Sequence, residues 1–152
     1  GEAKEARREE LTRLEWEAGL YWKDGVGPVV TAKMLRASLR AGAMKSKEGG
    51  VVVEAIYAMG PNMPLGYDGP RTKDALWETG SFVDVQIVDV AGKRIARCRP
   101  IFPEWHLDAT VDYDRDLITP DRILSFAAVA GHRCGIGDGR KESYGRFRIV
   151  TK

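Results

Sequence analysis

At 152 residues, 43% hydrophobic and 30% charged, the chain has the composition of one ordinary globular domain with enough apolar material for a core. Two cysteines, Cys98 and Cys134, are too few for a disulfide framework or an all-cysteine zinc site, and read as free thiols of a reducing, cytoplasmic compartment. The net charge of +2 is too small to mark a nucleic-acid binder by itself.

The distribution of charge says more. Lys33, Arg36, Arg40, Lys45 and Lys47 come with no acid among them, as do Lys93, Arg94, Arg97 and Arg99. Residues 133–152 hold six cations against two acids, whereas residues 104–121 hold six acids against Arg115. A basic face and an acidic face are therefore expected on a nearly neutral chain. No apolar run approaches the ~20 residues of a membrane span, and no signal peptide is visible. The chain opens on Gly1 rather than methionine, which suggests processing, a tag remnant or further residues before it.

In chain order, residues 3–18 predict a charged helical arm with Leu11, Leu14 and Ala18 on one side, supported by Glu9–Arg13 and Arg13–Glu17 at i,i+4 spacing. A strand at 20–22 turns at Asp24-Gly25 into 28–30. Thr31 caps a helix to about Ser46 that buries Met34, Leu35, Leu39 and Gly42, and Gly49-Gly50 ends it. Val51 to Met59 reads as a strand. Residues 60–71, rich in glycine and proline, form a loop. Thr72 opens a short helix that Gly80 stops. Residues 82–90 and 94–102 form a hairpin across Ala91-Gly92.

From Trp105 to Tyr113 apolar and polar residues alternate, so one face is buried and the other wet. Thr119-Pro120 starts a helix carrying Ile123, Leu124, Phe126, Ala127 and Ala130 inward, and Gly131 ends it. Residues 146–150 close as a strand. Without the inserted hairpin and loop, the order is β-α-β-β-α-β. We therefore expect an α+β domain with an antiparallel, ferredoxin-like (RRM-like) core over residues 19–152, preceded by the arm at 1–18.

Residues 135–147 read GIGDGRKESYGRF. Gly135, Gly137, Gly139 and Gly145 allow positive φ or close backbone approach to a ligand. Arg140, Lys141, Arg146 and Arg148 suit phosphates, and Tyr144 offers a stacking face. A dinucleotide fingerprint is excluded, because that motif opens a helix whereas this one follows a helix and leads into a strand. From the residues alone, the segment reads equally as a turn between the last helix and last strand.

Arg97 and Arg99 lie two apart on a strand, share a face and suit successive phosphates; the other reading is an exposed face or internal ion pairs. Asp112-x-Asp114-x-Asp116 begins like a calcium loop, but Leu117 and Ile123 stand where glycine and glutamate are required. His132-x-Cys134 lacks two further metal ligands. No metal and no cofactor is expected.

The last helix, the glycine segment and the closing strand resemble the C-terminal signature of the RAMP superfamily, ferredoxin-like proteins that form the crRNA-holding backbones and processing endoribonucleases of CRISPR systems. The resemblance covers the last ~30 residues and implies that Gly135, Gly137, Gly139, Arg140 and Gly145 lie near an RNA backbone. Tyr67-Asp68-Gly69-Pro70, Leu76-Trp77, Arg97-x-Arg99-Pro100-x-Phe102-x-x-Trp105, Gly135-x-Gly137-Asp138 and Gly145-Arg146-Phe147 are similar to an uncharacterised family encoded by tailed phages. This second resemblance implies a phage setting and carries no activity.

The superfamily's metal-independent nucleases often use a histidine. Here His106 lies on a strand lined with aspartates, which leaves His132 as the catalytic candidate, with a role at the helix C-terminus as the simpler account. The resulting expectation is a non-catalytic binder of RNA or single-stranded DNA. It would use Arg97, Arg99, Arg140, Lys141, Arg146 and Arg148, with Tyr144 or Trp22 stacking on bases. Head-to-tail self-association is expected from the two charged faces. The alternatives are a phage structural or CRISPR-complex-binding protein docking through Met63, Leu65 and Tyr67, and a ribonuclease built on His132.

Overall fold

The structure, a computed structural model, describes residues 1–58, 60, 62–138, 140 and 143–150. It is an α+β protein whose paired strands are antiparallel where their register is defined. In chain order the elements are α1 (Glu2–Ala18), β1 (Trp22–Lys23), β2 (Gly27–Val30), α2 (Ala32–Met44), α3 (Gly49–Ala55), β3 (Ile56–Ala58) and β4 (Met63–Pro64). There follow α4 (Lys73–Thr79), β5 (Val83–Val90), β6 (Lys93–Pro100), β7 (Asp112–Tyr113), α5 (Pro120–Val129) and a π-helical turn at Ala130–Cys134. The chain forms two compact units, Gly1–Val29 with Pro64–Leu107 and Val30–Met63 with Asp108–Lys152.

The first unit is organised around Trp16. This residue is fully buried, its Nε1–H donates to the Phe82 carbonyl at 3.0 Å, and its ring lies 5.4 Å from that of Trp77. Leu76, Phe82 and Cys98 complete the cluster. Burying side chains of this size contributes about 2–3 kcal/mol each. Tyr67, Phe82 and Phe102 form an aromatic triangle with centroid separations of 4.9–5.6 Å, and the Arg71 guanidinium lies 4.7 Å from the Tyr67 ring centre. Arg71 also donates to the carbonyls of Leu65 and Val26.

The helix expected at residues 3–18 as a charged arm is present as α1, but it is packed against β6, and the side that carries Leu11, Leu14 and Ala18 is the outer one. Leu11 is 59% exposed, Leu14 55%, and Ala18 is exposed as well. The larger apolar surface of Trp16 sets the rotation of the helix.

In the second unit α2 and α5 cross at Gly42, where a Cβ would stand 2.4 Å from the Phe126 carbonyl oxygen. Leu35, Leu39, Ala43, Val52, Ala55, Ile56, Ile118, Ile123, Phe126, Ala127, Ala130 and Ile136 are buried there. Thr31 and Thr119 cap α2 and α5 by accepting from the Met34 and Arg122 amides, as Thr72 caps α4 by accepting from Ala75. Gly80 ends α4 in the left-handed conformation.

Three strand expectations are corrected. Residues 51–55 are helical: Gly49-Gly50 opens α3 instead of ending α2, and among the described residues of the expected strand only Ile56–Ala58 is extended, Met59 lying outside them. Valine's strand preference yields to burial of Val52 and Ala55 at helical spacing, while Val53 faces outward. From Trp105 to Tyr113 the burial alternation largely persists, but pairing is confined to a bridge at His106 and the two residues of β7. No strand forms at 146–150. As a result, the strands fall into sheets ordered β1-β2-β4, β3-β7 and β5-β6, where a ferredoxin-like core has one four-stranded sheet.

Candidate nucleic-acid interface

The cations singled out in the sequence fall into two groups, one in each unit. The first group is on the β5–β6 hairpin. Its two-residue turn has positive φ at both Ala91 (52°) and Gly92 (81°), the requirement of a type I′ turn, and pairing runs from Val90↔Lys93 to Val83↔Pro100. The pairs alternate between faces. One face carries Asp84 with Arg99, Gln86 with Arg97, Val88 with Ile95 and Val90 with Lys93; the other carries Val85 with Cys98, Ile87 with Ala96 and Asp89 with Arg94.

Arg97 and Arg99 thus share a face, as expected. Lys93, Arg94 and Arg99 are exposed, and Arg97 is half-buried. None of the four takes part in an ion pair among the described residues. At the base of the hairpin, the Cys98 amide donates to Glu15 of α1 at 3.0 Å. Burial, with the charges of Glu15 and Asp84, pushes the Cys98 thiol above its ordinary range.

The second group is the glycine segment. Here the glycines are taken up by packing within the chain. A Cβ on Gly135 would lie 2.6 Å from the Tyr144 carbonyl oxygen, and one on Gly145 would lie 2.0 Å from that of Ile136. The Ile136 amide donates to the Gly145 carbonyl, which fixes that approach. The buried Ser38 hydroxyl of α2 donates to the Gly135 carbonyl at 2.7 Å. Gly137, at φ +83°, has only Met34 Cε near its open side.

The π-helical turn that precedes the segment is held from the C-terminal side. The Phe147 amide donates to the Gly131 carbonyl, and Arg146 Nη1 donates to the His132 carbonyl at 2.8 Å. A widened turn leaves such carbonyls free to accept from outside the helix. Arg146 is therefore half-buried and engaged with backbone, with its Nε shielded from solvent and unpaired among the described residues. Arg140 and Arg148 are exposed, Tyr144 is 36% exposed, and the His132 side chain is exposed. Gly139 and Lys141 lie outside the described residues.

Other sequence candidates have structural employment. Trp22 lies half-buried against the first unit's cluster with Lys73 Nζ 5.4 Å from its ring centre, so its face is covered by a side chain of its own unit. Arg36 donates to the Val53 carbonyl, while Arg40 is exposed. Met63 and Leu65 are buried and Tyr67 sits in the aromatic triangle, which corrects the expectation that they form a docking surface. Tyr67, Leu76, Trp77 and Phe102, which carry part of the phage-family resemblance, belong to or pack against the same cluster.

Asp114 accepts from the Tyr57 hydroxyl and the Asp116 amide, both at 2.9 Å, so its carboxylate organises a turn. The Tyr57 phenol is held above its ordinary range by that bond. Among the described residues no three metal-ligating side chains cluster, and no helix is long and apolar enough to cross a membrane.

Compared with models of protein families, with curated proteins and with solved structures, the chain matches none.

The signal that sequence reading passed over is the position of Lys93 and Arg94 beside the hairpin turn. From Val85 to Ala96 every residue except Val88 is exposed, so the cations of β6 stand on a ribbon open on both faces.

Proposed function

We propose that the protein is a non-catalytic, self-associating binder of RNA or single-stranded DNA that contacts phosphates through the β5–β6 ribbon. The observation that carries the reading is the row Lys93, Arg97 and Arg99 on one face of β6, with Arg94 on the other, without an acid on that strand and without ion pairs among the described residues. Cations two residues apart on a strand meet phosphates of an extended backbone at similar spacing, and their release of counterions supplies sequence-independent affinity.

In this reading the exposed Arg140 and Arg148 of the second unit also contact phosphates, with Tyr144 as a stacking group. The RAMP-like assignment, a ferredoxin-like descent of the core and a phage-encoded origin with action in the host cytoplasm go with the proposal as its biological setting. They rest on the motifs alone. Catalysis through His132 is not part of it; that residue contributes its carbonyl to Arg146.

Fluorescence anisotropy with labelled single-stranded RNA and DNA, across a salt series, tests the reading. We expect binding that weakens steeply with salt. Arg97→Glu/Arg99→Glu should lower affinity at least tenfold or so and reduce the salt slope by about 2. Arg140→Glu/Arg148→Glu should cost less. Absence of binding to either strand at low salt, or binding indifferent to Arg97→Glu/Arg99→Glu, overturns the proposal.

A further inference from the structure

The β5–β6 hairpin leaves one strand edge open from Val85 onward, the Val83 amide at its foot donating to the Gly80 carbonyl. In an antiparallel pair, directly opposed residues alternate between those that bond to each other and those whose N–H and C=O point away. The Cys98 amide points outward, to Glu15, so the Val85↔Cys98 pair is of the second kind. By alternation, Ile87 and Asp89 on β5 and Ala96 and Arg94 on β6 also turn their backbone groups outward. The β6 edge is covered by α1 near Cys98. The β5 edge, eight residues long, pairs with no other strand among the described residues.

That edge is apolar and exposed: Val85 is 57% and Ile87 58% accessible. A two-stranded hairpin open on both faces is marginal in water, and a long apolar edge is a template for strand addition.

We propose that β5 pairs antiparallel with β5 of a second copy of this chain, giving a four-stranded sheet with the two β6 strands outermost. This rests on and deepens one part of the reading above, self-association, and is tested without nucleic acid because Lys93 and Arg94 belong to both surfaces. Two features of the hairpin select a second copy as the occupant.

The first is register. Outward-facing residues must meet outward-facing residues, which excludes the alignment that sets Asp84 against Asp89. Among the alignments this permits, the one centred on Gln86 places Val85 opposite Ile87 of the second copy, Asp84 opposite its Val88 and Val83 opposite its Asp89. No like charges then oppose each other. The aspartates keep Arg99 and Arg94 across their own hairpin.

The second is charge at the two ends. An open pocket at the foot of β5 is lined by Glu9, Arg13, Trp77, Glu78, Gly80 and Val83. Arg13 is already engaged by Glu17 and Asp74, which leaves Glu9 and Glu78 as exposed carboxylates. The far end of the hairpin carries Lys93 and Arg94, both exposed. In an antiparallel β5 pair the tip of each hairpin arrives at the foot of the other, so cationic tip meets acidic foot twice about one dyad.

Sedimentation velocity across a concentration series, without nucleic acid, tests this. We expect a reversible monomer–dimer equilibrium in the wild type. Ile87→Pro removes an outward N–H and no bond between β5 and β6, and should leave only monomer. Lys93→Glu/Arg94→Glu and Glu9→Lys/Glu78→Lys should each weaken the dimer at least about tenfold. An equimolar mixture of these two variants should dimerise again, because each tip then meets a foot of opposite charge.

The exchange variants change only exposed side chains, so they decide the matter even if Ile87→Pro disturbs the hairpin. A wild type that stays monomeric at every concentration, a dimer unaffected by both exchange variants, or a mixture no better than either variant alone overturns the proposal. Loss of nucleic-acid binding with the dimer intact would count against the function proposed above and leave this inference standing.

Discussion

The β5–β6 ribbon and the glycine segment are the two regions whose sequences point most directly to a phosphate ligand, and the fold uses them in opposite ways. On the ribbon, regular pairing turns alternate residues outward, so Lys93, Arg94 and Arg99 stand in solvent without an ion pair among the described residues, although Asp89 and Asp84 lie across the hairpin from Arg94 and Arg99. In the glycine segment, the residues most suggestive of a ligand cradle are spent on the chain itself. Gly135 and Gly145 let residues 135–136 and 144–145 lie backbone against backbone, and Arg146 ties down a helix end. A glycine reports that something comes close to the backbone; it does not say whether that is a ligand or the protein.

The sharpest way to break this comparison is substitution of the glycines one at a time. Gly145 combines φ +75° with a Cβ position 2.0 Å from the Ile136 oxygen, an approach that backbone on both sides prevents from relaxing. We expect Gly145→Ala to cost about 3 kcal/mol or more in urea denaturation, or to prevent folding. Gly137→Ala, at φ +83° but facing open space apart from Met34, should cost only about 1–2 kcal/mol for the backbone conformation. If Gly145→Ala instead left stability unchanged and weakened nucleic-acid binding, the segment would be a ligand cradle and the contrast drawn here would fail.

Much of the fold was legible in the sequence where local chemistry decides it. Thr31, Thr72 and Thr119 cap their helices, Pro120 follows its cap, Gly80 closes α4, and Ala91-Gly92 turns the hairpin, all as their residue types indicate. The illegible parts are those set by packing at a distance. Three consecutive valines at 51–53 have no period of their own, and only the second unit's core determines that Val52 points in and Val53 out. Leu11 and Leu14 match the ideal inward stripe of α1, yet Trp16 outweighs them. The candidate site divides along the same line. The shared face of Arg97 and Arg99 follows from strand periodicity alone. That Ser38 donates to the Gly135 carbonyl, 97 residues away, follows from nothing local.

A smaller effect sharpens the ribbon's side of the comparison. Ala91 holds φ +52° in the turn, a conformation that costs an ordinary L-residue about 1 kcal/mol, while glycine tolerates it. Ala91→Gly should therefore raise stability by a few tenths of a kcal/mol up to about 1, because strain relief competes with the greater freedom of glycine in the unfolded chain. Thermal denaturation reads the change. A lower melting temperature would mean that the turn is not under this strain.

The smallest effect concerns pH in the second unit. The Glu48 carboxyl is held below its ordinary range first by the Ser46 hydroxyl, which donates to Oε2 at 2.6 Å, and then by Arg122, with partial desolvation opposing both. A carboxyl depressed in the folded state contributes stability that is present above its unfolded pKa and is lost as pH falls through the folded value. The loss should therefore begin below the ordinary glutamate value of 4.5 and deepen toward more acid solution. Glu48→Gln removes this titration, so the variant's melting temperature should change less than the wild type's between neutral pH and pH of about 3. Because the pair is open to solvent and Arg122 also lies over the Phe126 ring, 5.6 Å from its centre, most of that arginine's packing should survive the substitution. Parallel pH profiles for the two proteins would show that the Ser46–Glu48–Arg122 contacts are too weakly coupled to folding to matter.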